Sequence, residues 1–370
     1  MTDTDSNYKA RAVAFYLPQF HPIAENDEWW EKGFTEWTNV TKAKPLFAGH
    51  EQPDLPSELG FYDLRVSETR EAQANLAQEY GVEGFAYWHY WFGNGRRILD
   101  KVFQDVLESG KPDHPFCLAW ANMTWSGVWH GLDSKVLIEQ TYPSLEDHEK
   151  HFEFLLKAFR DPRYMKVDGR PIFLIYRPDD LPDTEKVLNH WRELAKVNGL
   201  PGLYLVGVFG DPADPNRRLY DAGMASEPFT FVSSASNGRA SKESLLSRAA
   251  GKLRKSIPGQ EAGPRRVSYE ECVKGTLAQS KYGDFEIPCA LPNWDNTPRS
   301  ERRGLVLTGA TPEKFRPLLK KAIESVQERL PEERLVFLKS WNEWAEGNYL
   351  EPGRKWGRKF LEVVREELRA

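Results

Sequence analysis

Residues 84–121 read GFAYWHYWFGNGRRILDKVFQDVLESGKPDHPFCLAWA and hold one complete strand–helix–strand unit. Gly84 to Trp91 is a short apolar and aromatic run of strand length, and Phe116 to Ala121 is another. Between them the spacing of apolar residues predicts a helix from about Arg97 to Ser109. Upstream, Ala12 to Leu17 reads as a strand, then a long aromatic loop leads into an amphipathic helix over Asp63 to Tyr80. Downstream, Ser144 caps a helix running to Phe159, with Asp147 three residues on. The unit recurs as Pro171 to Tyr176 with the helix Asp183 to Val197, and then the strand Leu203 to Phe209. Ala222 to Glu227 is a weak sixth strand, because Gly223 and Met224 carry little β preference. Ile287 to Leu291 and Leu335 to Trp341 complete the series, with helices over Pro312 to Arg329 and Lys355 to Leu368.

Eight strands alternating with helices over 370 residues predict an α/β protein: a single (β/α)8 TIM barrel with long βα loops. A doubly wound open sheet fits less well, since no Gly-rich phosphate turn follows the first strand. The whole chain reads as one catalytic domain, with a loop and helix insertion around 233–266 where Ser, Gly, Lys and Arg accumulate.

Composition narrows the function. Hydrophobic residues make up 40%, charged 28% and aromatic 13%, with a net charge of −5. That excludes disorder and leaves no basic surface for nucleic acid. No apolar run approaches the roughly 20 residues that span a bilayer. The polar, acidic start from Met1 to Lys9 lacks the features of a secretory signal, and Cys117, Cys272 and Cys289 form no CxxC pair, so a cytoplasmic protein with reduced thiols is expected. Thirteen Trp, fourteen Tyr and twenty Phe supply flat faces with polar handles, of the kind that stack on sugar rings. Large cores use aromatics too, so placement decides between the two.

In a parallel barrel the loops after the strand C-termini form the active face. Those ends carry polar aromatics at nearly every strand: Tyr16, Gln19 and His21; Tyr87, His89, Tyr90 and Trp91; Trp120, Asn122 and Trp125; Tyr176 and Arg177; Glu227; Asn293, Trp294 and Asp295. The eighth ends in Ser340-Trp341-Asn342-Glu343-Trp344-Ala345-Glu346-Gly347. On a continuing strand Glu343 and Glu346 would point to opposite faces, whereas a tight turn permitted by Gly347 lets both face one cavity. Neighbouring carboxyls walled by Trp341 and Trp344 push their pKa values apart, which acid–base work on a glycosidic bond requires.

Other charges are read both ways. Glu36, in the loop containing Trp37, either folds over the cleft or sits at the surface. Asp295 either orients sugar hydroxyls or forms an Asx turn before Pro298. Glu351 either supports the turn or pairs with Arg354. His148-Glu149-Lys150-His151 is one residue short of HExxH and reads as a solvated helix start. No metal or cofactor motif is found.

The stretches Phe15 to Pro22, Glu28 to Trp30, Gly33 to Val40, Leu59 to Arg65, Gly84 to Phe92, Trp294 to Arg299 and Trp341 to Gly347 together resemble the WbsX-like proteins, a family related to glycoside hydrolase family 99. The resemblance implies a (β/α)8 barrel acting on oligosaccharide or polysaccharide, with no cofactor, in the setting of O-antigen, lipopolysaccharide or capsule biosynthesis. It casts Glu343 as the base that deprotonates the sugar 2-hydroxyl. Glu346 becomes the general acid at the leaving oxygen, in a retaining endo-α-mannosidase-like reaction through a 1,2-anhydro sugar. Tyr16, Gln19, His21, Glu36, Trp37, Tyr87, His89, Trp91, Trp120, Asn122, Trp125, Tyr176, Glu227, Trp294, Asp295, Asn342 and Trp344 are the expected sugar contacts. One departure stands out: the family commonly reads Trp-Ala-Asn-Glu-Asn-Trp after strand three, and here Met123 replaces the acid. Two alternatives remain, a glycosyltransferase of O-antigen or capsule assembly and a sugar-binding protein without catalysis.

Overall fold

The computed structural model of the chain describes residues 8–127, 136–237, 263–279 and 282–369. Its centre is eight parallel strands: β1 (Arg11–Tyr16), β2 (Val82–His89), β3 (Phe116–Trp120), β4 (Arg170–Ile175), β5 (Tyr204–Phe209), β6 (Ala222–Ala225), β7 (Cys289–Ala290) and β8 (Leu335–Leu338). Neighbours in sequence are neighbours in the sheet except β6 and β7, which are its two ends, and β8 returns to β1 with Leu335 opposite Arg11. The result is a (β/α)8 barrel.

Around it lie α1 (Ser67–Glu79), α2 (Lys101–Ser109), α3 (Leu145–Phe159), α4 (Thr184–Val197), α5 (Phe229–Asn237), α6 (Tyr269–Ala278), α7 (Pro312–Glu324) and α8 (Lys359–Leu368). Between β5 and β6 the helix is reduced to a 3-10 turn over Pro215–Leu219. The Ser144 hydroxyl accepts from the Asp147 N–H, as its N-cap position predicts. Of the expected insertion around 233–266, residues 238–262 lie outside those described. Its two ends are α5 and the short strand Arg265–Ser268, which pairs with Leu305–Thr308.

The weak sixth strand has a physical reason. The barrel closes where the Gly223 N–H donates to the Phe285 carbonyl at 2.9 Å and the Ile287 N–H to the Gly223 carbonyl at 2.8 Å. A Cβ on Gly223 would lie 2.3 Å from a Phe285 ring carbon, so the closing seam requires glycine although glycine is a poor strand former.

Parity along the strands sets what the barrel mouth displays, because successive side chains point to opposite faces. In β2, Trp88 points inward and stacks on Phe15 with centroids 4.8 Å apart. Tyr87 and His89 point outward, Tyr87 against Phe103 of α2 and His89 Nε2 at 2.8 Å from His151 Nε2 of α3. Register pairs Tyr16 with Tyr87 and His89 with Trp120, so these four share the outer face. Both His148 and His151 are buried, correcting the solvated helix start. At three-residue spacing the pair shares the inner side of α3, while Glu149 bonds His190 and Lys150 bonds Glu146 on the other side.

Candidate active site

Beyond β8 the chain turns back as a hairpin, with Asn342 opposite Tyr349 and Glu343 opposite Asn348. Its tip is a 3-10 turn over Trp344–Glu346 that ends at Gly347, whose φ is 59°. Glu343 caps this turn and Glu346 ends it, and both side chains project to one side, where they meet Arg299. Gly347 is needed twice over: its backbone is left-handed, and a Cβ there would sit 2.9 Å from the Asp295 backbone nitrogen.

Both carboxylates meet one cation. Arg299, from the short helix Thr297–Ser300 after β7, donates through Nη1 to Glu346 Oε1 at 2.7 Å and through Nη2 to Glu343 Oε2 at 3.1 Å. Its Nε donates to Glu36 Oε2 at 2.9 Å. Glu36 comes from the β1 loop, at the first turn of a helix capped by Thr35. Burial raises Glu36 above the ordinary carboxylate range, against the opposing pull of Arg299. Burial also pushes Glu343 up, to about 7, aided by the neighbouring Glu346 and opposed by Arg299. Burial alone would weaken the Arg299 charge, but the three carboxylates raise its pKa further.

This clamp forms part of the wall of a cleft of about 1140 Å³, its open mouth included, over the C-terminal strand ends. Of the residues singled out in the sequence, Gln19, Glu36, Trp125, Tyr176, Glu227, Trp294, Glu343 and Glu346 line it. So do Met123 and Trp88, Tyr90, Arg299 and Lys339, to the last four of which the sequence reading gave no contact role. Burial raises Glu227 to about 7, while its Oε2 accepts from the Phe231 N–H at 2.8 Å.

The other expected contacts are placed elsewhere. Tyr16, Tyr87, His89 and Trp120 face the helices by strand parity, and the Trp91 indole bonds Asp147 of α3 at 3.0 Å. His21 is buried outside the cleft lining. The Trp37 N–H is spent on the Tyr62 carbonyl at 2.8 Å. Asn122 ties two loops, accepting from the Arg177 N–H at 2.7 Å and donating to the Arg177 carbonyl at 2.8 Å.

Three of these residues build the hairpin instead of lining the cleft. Asn342 pairs with both backbone groups of Leu17, at 2.7 and 3.0 Å. Asp295 donates its backbone N–H to the Glu346 carbonyl at 2.6 Å. Its carboxylate accepts from Gln52 and Thr297 and pairs with His50 at 2.7 Å. Burial would raise that carboxyl, but those hydrogen bonds hold it below its ordinary value. Trp344 stacks on Tyr349 at 3.7 Å and donates to Glu351 Oε2 at 2.7 Å. Glu351 therefore supports the turn. It also accepts from Tyr62 at 2.8 Å and Gln73 at 2.6 Å, and Gln73 accepts from Tyr16. Among the described residues no group of three or more His, Cys, Asp or Glu could hold a metal ion. No described helix is long and apolar enough to cross a membrane.

A family model described as "Glycosyltransferase WbsX" matches residues 12–364. Two relatives from strains of Xanthomonas campestris pv. campestris, both described as "Uncharacterized protein WxcX", are 35% identical over 362 residues. The match covers 97% of this chain and 50% of theirs, so the chain spans about half the length of the curated relatives it matches. Among solved structures, a "Glycoside hydrolase-like protein" superposes with a TM-score of 0.59 at 14% identity, covering 100% of this chain and 97% of the other. The GH99 endo-alpha-mannosidase from Bacteroides thetaiotaomicron gives 0.56 at 14% identity, covering 96% of each. At that identity the likeness is one of fold.

Proposed function

The chain belongs to the WbsX glycosyltransferase family, and from that premise we propose that it is a glycan-processing enzyme: a retaining, endo-α-mannosidase-like glycoside hydrolase for bacterial surface polysaccharide or its fragments. The observation that carries this reading is the pair Glu343 and Glu346, held on adjacent nitrogens of one guanidinium in an aromatic-walled cleft.

In the proposed reaction Glu343 takes the proton of the sugar 2-hydroxyl, and O2 attacks C1 from the face opposite the leaving group. Glu346 gives its proton to the departing oxygen. The product of this step is a 1,2-anhydro sugar. Glu346, now ionised, then takes a proton from water as the water oxygen opens the three-membered ring at C1, and Glu343 returns its proton to O2. Two inversions at C1 give net retention, without a glycosyl ester on the enzyme. A base with pKa near 7 is strong and about half ionised at neutral pH, which suits Glu343 to its role. Trp88, Tyr90, Trp125, Tyr176 and Trp294 offer rings for stacking, worth about 0.5–1.5 kcal/mol each.

The test is incubation with a panel of bacterial glycans, with products read by mass spectrometry and their anomeric configuration by NMR. Shortened products of retained configuration, absent with Glu346→Gln, support the reading. Products of inverted configuration discard the mechanism. The family description favours a second reading, transfer from an activated donor, which predicts thermal stabilisation by a nucleotide sugar and a lengthened product. Met123 in the cleft wall favours a third, sugar binding alone, which predicts tight binding of a glycan that the wild-type protein never alters.

A further inference from the structure

Lys339 follows the last residue of β8 and lies in the floor of the cleft, only 7% exposed. Its ammonium is ringed by four aromatic side chains: Phe15, Trp88, Tyr176 and Trp294, with Nζ 5.6 to 5.9 Å from each centroid. Among the described residues Nζ has no hydrogen-bond acceptor and no carboxylate within 4.0 Å. The other cation in the cleft wall, Arg299, is already committed to Glu36, Glu343 and Glu346.

Burial disfavours the ammonium while Glu346 and Glu343 favour it from a distance. A buried charge with no anion in contact is still costly, and the usual remedy inside a protein is a paired, hydrogen-bonded partner. Ring faces attract the ammonium but accept none of its three N–H donors in the manner of an oxygen. The residue nonetheless lines the space a glycan would fill. Trp294 adds an indole N–H that is likewise without a partner among the described residues.

We infer that Lys339 is a specificity-determining residue that pairs with a carboxylate carried by the glycan, so that the cleft takes an acidic sugar of the uronic acid type. The inference rests on the glycan-processing reading above and names its substrate class. A single ammonium matches a monoanion. A phosphoryl group, with its second negative charge, would meet Glu36, Glu227, Glu343 and Glu346 in the same wall, where among the described residues Lys339 is the one uncommitted cation to offset them.

The experiment uses oligosaccharides from uronate-containing bacterial capsular polysaccharides, each in native form and after chemical reduction of its carboxyl groups to alcohols. Binding is measured by calorimetry on the full chain carrying Glu346→Gln, and cleavage on the wild type. The expected result is binding of a native form at least about ten-fold tighter than of its reduced form, as a charge-assisted hydrogen bond gives. Adding Lys339→Met, or Lys339→Gln should the Met variant fold poorly, erases that preference to within about two-fold. Equal binding of the two forms overturns the inference, as does a preference that survives both substitutions, binding of neither form, or stronger binding of a phosphorylated oligosaccharide. If the wild type cleaves native and reduced forms alike, the hydrolase reading stands and the role of Lys339 falls. If binding is Lys339-dependent but neither form is cleaved, the role of Lys339 stands and hydrolysis falls.

Discussion

The hairpin after β8 carries two sets of buried carboxyls, one on each side. Glu343 and Glu351 are both pushed up to about 7, chiefly by burial, yet their surroundings differ. Glu351 is enclosed by neutral donors, with Tyr62 and Trp344 on one oxygen and Gln73 on the other. Glu343 shares a guanidinium with Glu346 and borders open space in the cleft. A raised carboxyl pKa is therefore no mark of chemistry by itself. What distinguishes the two is access: Glu351 has its capacity filled by the fold and acts as a strut, while Glu343 and Glu346 face room for a sugar.

The contrast can be broken most sharply at the cleft. Glu346→Gln should lower kcat by about 10²–10⁴-fold, the usual worth of a general acid, with the thermal unfolding midpoint unchanged. Glu343→Gln should cost a similar factor and also remove the acid limb of the pH profile. A modest loss in either would remove the pair from the chemistry.

Arg299→Met tests how the clamp sets the base. In the wild type kcat/KM should rise with pH through about 7, as Glu343 loses its proton and becomes competent. Arg299 opposes the upward shift, so its removal raises the Glu343 pKa further and moves the acid limb to higher pH. Each unit of displacement costs about ten-fold in activity below the new limb. A limb that stays in place, or moves down, contradicts this account.

Glu351→Gln should do least to the chemistry. The amide presents N–H groups where the carboxylate accepted from three donors, so stability should fall by about 1–3 kcal/mol in a denaturant titration. The shape of the pH–rate profile should persist. Loss of the acid limb in this variant would erase the distinction between the two sides of the hairpin.

Much of the fold was legible in the sequence, because short apolar runs alternating with amphipathic helices admit few topologies. The strands Phe116–Trp120 and Tyr204–Phe209 fall within a residue of their expected bounds. The Glu343–Glu346 spacing with Gly347 behind it also announced its turn. Tyr16, Tyr87, His89 and Trp120 face away from the cleft for one cause. Barrel strands are buried on both faces, so a run such as Tyr87-Trp88-His89 carries no polar–apolar alternation to say which side faces in. Tyr87 and His89 drew notice for their polar atoms, although the wall of the cleft belongs to Trp88 and Tyr90.

Sequence alone determined the order of strands and helices, the tight turn that brings two carboxyls to one side, and the glycine that lets it close, since all three are local properties of neighbouring residues. Only the tertiary structure decided that Arg299, 44 residues before Glu343, would reach across to it and to Glu36 from the first loop. The same is true of Lys339, left lining the cleft with no carboxylate within 4.0 Å among the described residues. Such pairings depend on how a closed sheet brings its strand ends to one rim, and no spacing along the chain encodes that distance.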